Sequence, residues 1–192
     1  MDSSGEYIKL RFPLLPKKRN ERLTRQDWEQ ALLVQPMAKI PDILVPGCGP
    51  RGIPPRLHFG WVLDDDGNRL LDIAREKKIE PRDQREVKLL PKDDSDDEDI
   101  YEGPSVKMNE LWLKQDALSA VGKELQLICE PYLDQVCCPG KRTVKIVGLI
   151  DNYSLKSQVV GRADIPKLVD YFNFDVGPLW FLDSYRWTWN ID

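Results

Sequence analysis

The chain of 192 residues contains one histidine, His58, and it lies ten positions after Cys48. Histidine is the usual general base near neutral pH, and a thiol beside it can act as a thiolate nucleophile. A Cys48–His58 pair is therefore the combination on which a histidine-dependent mechanism would rest. Cys48 stands in Pro46-Gly-Cys-Gly-Pro50, where glycine amides offer themselves as oxyanion donors. The plainer account makes His58 a polar residue at a strand start and Cys48 a small residue in a proline-rich turn. No family signature surrounds either residue, so everything turns on whether the fold brings them together.

The same loop, with Arg51 and Arg56, is a candidate anion site built from backbone N–H groups and guanidinium. It lacks the Gly-Lys-Ser/Thr of a phosphate loop, and no strand directly precedes it to open a dinucleotide-binding unit. A tight surface loop of glycine and proline accounts for the same residues. Cys129, Cys137 and Cys138 invite a metal reading with Cys48 or His58 as fourth ligand, but structural zinc sites bring ligands in pairs two to four residues apart. Here the first two are separated by seven residues and the last two are adjacent. The expectation is no metal and no cofactor, with Cys129 buried as a small hydrophobe and Cys137 and Cys138 near a Pro139-Gly140 turn. Asp64, Asp65 and Asp66 miss the calcium-loop template and suit a helix start instead. Ser95, with acids on both sides and Glu98 three residues on, is a candidate site for an acid-directed kinase.

The elements that would carry these residues are legible in part. Residues 1–56 hold eight of the fifteen prolines, which predicts an extended N-terminal arm. One helix interrupts it, capped by Thr24 with Asp27 three residues later, and Pro36 stops it. Leu57–Leu63 is an apolar run with the length of a buried strand, and a helix follows over 68–78. Leu111, Leu118, Val121, Leu125 and Ile128 form a helical stripe over 109–129, with Asp116 a possible cap for a second piece and Pro131 the end. A strand over 143–150, a partner strand over 156–160 and a helix over 164–172 capped by Asp164 come next. The chain then closes on 180–191, where Tyr185, Trp187, Trp189 and Ile191 alternate with polar residues. Alternation of that kind predicts a half-buried strand that delivers its rings to the core.

These elements predict one α+β domain: a small, mostly antiparallel sheet packed by about four helices, with the proline-rich arm over its surface. Within it, 57–92 is a strand–helix unit, 93–104 an acidic mobile loop, and 105–192 a helix–strand–strand–helix–strand lobe.

Residues 93–99 hold six carboxylates and no base; taking them from the net charge of −4 leaves +2. So balanced a body has no basic stripe to attract nucleic acid. Lys17, Lys18 and Arg19, with Arg22 and Arg25, make only a short basic cluster that would serve as a nuclear-import address. No run approaches a membrane span and the charged N-terminus lacks a signal-peptide core, so the expectation is a cytoplasmic or nuclear protein. With no clustered catalytic set, the leading expectation is a non-enzymatic interaction module whose partner is another protein. The alternative is a small enzyme or anion-binding protein that uses 46–61 through Cys48, Arg51, Arg56 and His58.

Overall fold

The computed structural model describes residues 24–49, 52–81 and 106–189. Arg51, Ser95, the acidic run 93–99 and the basic residues 17–22 lie outside the described residues, as does the part of the arm before Thr24.

Among the described residues, four helices and a four-stranded antiparallel sheet make an α+β fold. The elements run α1 (Arg25–Leu33), β1 (Leu57–Val62), α2 (Asn68–Glu76), α3 (Val106–Glu124), β2 (Tyr132–Cys138), β3 (Lys141–Asp151), α4 (Asp164–Phe172) and β4 (Leu179–Leu182). The strand order is β2-β3-β1-β4, so β1 and β3 are central.

Local chemistry sets several of these boundaries. The Thr24 side chain accepts the Asp27 N–H while Asp27 accepts the Thr24 N–H, a reciprocal cap that opens α1. At α2 the Asp65 carboxylate accepts the N–H groups of Gly67 and Arg69 at 3.0 and 2.6 Å, which gives the acids before this helix a structural task. β2 and β3 form a hairpin across Pro139-Gly140, with Gly140 at φ 75°.

Three apolar clusters pack on the sheet. Trp61, Val147 and Leu149 join Leu70 and Ile73 of α2, Leu118 and Val121 of α3, and Leu168 and Phe172 of α4 in the largest cluster. A second cluster joins Leu57, Ile150, Trp180 and Leu182 to Ala31 of α1, Met37, Leu44 and Trp189. Val136, Val144, Ile146 and Phe181 form a third. Each fully buried leucine in these clusters contributes about 2 kcal/mol of transfer free energy.

Four sequence expectations are corrected. The last strand ends at Leu182 rather than running to 191, because the Asp183 carboxylate accepts the N–H groups of Tyr185 and Arg186 at 2.7 and 2.6 Å and turns the chain. The second edge strand is β2, not 156–160, which follows a series of turns opened by the Asp151 carboxylate on the amides of Tyr153 and Ser154. α3 passes through Asp116 as one helix. Asp164 is not a cap: Ala163 holds that position, and the Asp164 carboxylate instead accepts N–H groups from Ile128, Cys129 and Gly161. Asp164 thereby ties the end of the α3–β2 connection to α4.

Candidate functional site

His58 is the second residue of β1 and stands opposite Asp151 on β3 and Phe181 on β4. It is 1% exposed, and both of its ring nitrogens have partners. Nδ1 lies 2.8 Å from the Tyr132 hydroxyl and Nε2 lies 2.9 Å from Asp183 Oδ2. Asp134 brings a second carboxylate oxygen to within 3.6 Å of the same Nε2.

Three pieces of chain deliver these groups. Tyr132 and Asp134 are two apart on β2, so the pleat turns both toward one side. Tyr132 pairs with Gly148, and its ring occupies the space a side chain there would take: a Cβ on Gly148 would lie 2.5 Å from the ring. Asp183 follows directly on β4, and its amide donates to Arg56 O at 3.0 Å. The Arg56 N–H in turn donates to Arg186 O at 2.8 Å. Asn152 fixes the entry to β1, since its Oδ1 accepts the Leu57 N–H while its Nδ2 donates to Leu44 O and Pro55 O.

The electrostatics follow from this burial. Burial alone would raise the Asp183 carboxyl, but His58 and the amides of Arg186 and Tyr185 outweigh it and hold the group below its ordinary value. Burial raises the Tyr132 phenol, and the carboxylates of Asp151 and Asp134 raise it further against the opposing charge of Arg56. Tyr132 therefore stays a neutral hydroxyl. The neighbouring Cys137 thiol is pushed up to about 12 by burial and by Asp183, and donates to Asp183 O at 3.4 Å. It is no nucleophile.

Beside this centre a cleft of about 530 Å³ opens, lined by Arg56, Tyr153, Arg186, Thr188, Tyr185 and Trp189. The Arg56 guanidinium lies 5.2 Å from the centre of the Tyr153 ring and 3.5 Å from Asp151 Oδ2. Its Nε is buried and makes no hydrogen bond. The Tyr153 hydroxyl is tied to Pro54 O, which holds that ring in place.

The residues singled out by type and spacing are only partly brought together. Cys48 is exposed and His58 is buried with Tyr132 and Asp183 as its partners; no hydrogen bond joins Cys48 to His58. Arg56 enters the cleft, whereas Arg51 falls outside the described residues. Cys129 is buried, with its thiol pushed up to about 12 by burial and by Asp164. The terminal rings divide: Trp189 is 9% exposed and Trp187 meets Trp28 edge-on at 4.7 Å, but Tyr185 is 79% exposed. The expectation that all three rings turn to the core is thus corrected for Tyr185, because the turn at Asp183 breaks the alternation before it.

Tyr132, Asp134 and Asp183 carry no sequence motif. The hairpin signal across Pro139-Gly140 would have placed the first two on a strand, while nothing local marks Asp183 as the partner of a histidine 125 residues away. Among the described residues no helix is long and apolar enough to cross a membrane. No family model, curated protein or solved structure matches this chain.

Proposed function

We propose that this chain is a non-enzymatic interaction module of the cytoplasm or nucleus, and that it receives an acidic segment of a partner protein in the cleft between Arg56 and Arg186. The carrying observation is that two guanidinium groups and three aromatic rings line this cleft, while Asp151, which pairs with Arg56 Nε at 3.5 Å, is not among its lining residues. Arginine offers a planar fork of donors that matches a carboxylate, and its face packs on aromatic rings. Arg56 is already held against Tyr153, so little side-chain freedom is lost when it binds. Arg186 and Tyr185 are exposed at the rim, where an arriving chain would meet them first. Trp189 lies buried in the same cleft and supplies apolar area beneath the anionic group.

The test is a titration of the full chain with a short peptide rich in Asp and Glu, followed by tryptophan fluorescence and heat. Saturable binding that weakens as salt rises is the expected result. R186E should lose about tenfold or more in affinity, the size of one charge-assisted hydrogen bond. An affinity unchanged in R186E, or no saturable binding by the native chain, overturns the reading.

A further inference from the structure

Two carboxylates gather around the one buried imidazole. Two carboxylate oxygens, Asp183 Oδ2 at 2.9 Å and Asp134 Oδ2 at 3.6 Å, converge on one imidazole nitrogen. Nε2 carries at most one proton, so a single N–H faces two acceptors. Each of the three side chains uses its other polar atom elsewhere. His58 Nδ1 meets the Tyr132 hydroxyl, Asp183 Oδ1 accepts from the amides of Tyr185 and Arg186, and Asp134 Oδ1 accepts from the amide of Gln135. Three atoms thus point at a common place, each oriented by a hydrogen bond at its far side.

Metal ligands are commonly oriented by such outer hydrogen bonds. His58, Asp134 and Asp183 each bring one ligand atom to within 4.8 Å of the other two. Bonds of about 2.1 Å at tetrahedral angles put ligand atoms about 3.4 Å apart, so only small movements separate the observed positions from coordination. A dication also balances the charge of two converging carboxylates. We propose that His58 Nε2, Asp134 Oδ2 and Asp183 Oδ2 bind one divalent transition-metal ion of the zinc type. Binding requires the proton to reside on Nδ1, where it is donated to the Tyr132 oxygen; the Nε2 lone pair then meets the ion. Asp134, whose side chain is 37% exposed, provides the route of entry. Three protein ligands leave a fourth position for water. The site does not depend on the anion reading, and its tests detect the ion directly.

Metal-stripped full-length chain is dialysed against Zn²⁺ and its metal content measured, while the imidazole nitrogens are followed by NMR. His58 is the only histidine, so that signal identifies itself. The expected result is one ion per chain, a shifted Nε2 resonance and an affinity lower by about tenfold or more in D134N. D134N is the variant of choice because this half-exposed side chain lies outside the core and leaves the His58–Asp183 contact in place. Absence of a bound ion, an imidazole signal unmoved by Zn²⁺ (as cysteine-bound zinc would give) or undiminished affinity in D134N overturns the assignment.

Discussion

At the scale of the residue, the buried contact between His58 and Asp183 dominates. Asp183 accepts hydrogen bonds from an imidazole and two backbone amides, and its carboxyl sits below its ordinary value. A group whose pKa is lower folded than unfolded contributes stability that is present above its unfolded pKa of about 3.9 and is lost as pH falls through the folded value. Replacing it leaves a buried partner without its counterpart. D183N should cost about 3 kcal/mol at neutral pH in urea unfolding and should flatten the acid limb of the stability–pH curve. An acid limb as steep as that of the native chain would show that the carboxylate does not carry this dependence.

At the scale of the element, β2 shows how a strand serves a site. Tyr132 reaches His58 only because its ring lies across Gly148. A methyl group there meets the ring at 2.5 Å, so the ring must move or the strands must part. G148A should destabilise the fold by about 1–3 kcal/mol and perturb the His58 imidazole resonance. A silent substitution on both counts would mean that the ring has another seat. Asn152 acts similarly from the end of β3, where it binds the amide of Leu57 and the carbonyls of Leu44 and Pro55. N152A orphans these buried groups and should cost about 3 kcal/mol in a denaturant melt, because each lost partner leaves a desolvated group. Loss of less than about 1 kcal/mol would indicate that water replaces the amide.

At the scale of the whole molecule, Leu57, Phe59 and Trp61 alternate along one face of β1, and Phe59 packs against both the main helical cluster and the cluster that Ala31 of α1, Met37, Leu44 and Trp189 complete. That second cluster holds Trp180, Leu182 and Trp189 with Met37 and Leu44. The Met37 and Trp180 backbones exchange hydrogen bonds at 3.0 and 2.8 Å. The early and late segments of the chain thus complete one another. The His58 centre and the Arg56–Arg186 cleft share the 183–186 segment: its amides hold Asp183, and its side chains form the cleft rim.

What the sequence determined by itself lies in short-range chemistry. Thr24 with Asp27 fixes the start of α1, the apolar run 57–62 fixes β1, and the spacing of Leu118 and Val121 fixes the buried stripe of α3. Such signals are local because a cap or a periodic face needs only neighbours within a few residues. The tertiary structure alone decided the rest. Alternation over 184–191 is a strand pattern, yet one carboxylate at Asp183 turns the chain, leaving Tyr185 exposed and Trp189 buried. Likewise His58 has two plausible fates in sequence, and only the pairing of β1 with β3 and β4 gives it Tyr132 and Asp183 instead of Cys48. Contacts between residues 74 and 125 positions apart leave no local trace, since the geometry that creates them belongs to the sheet.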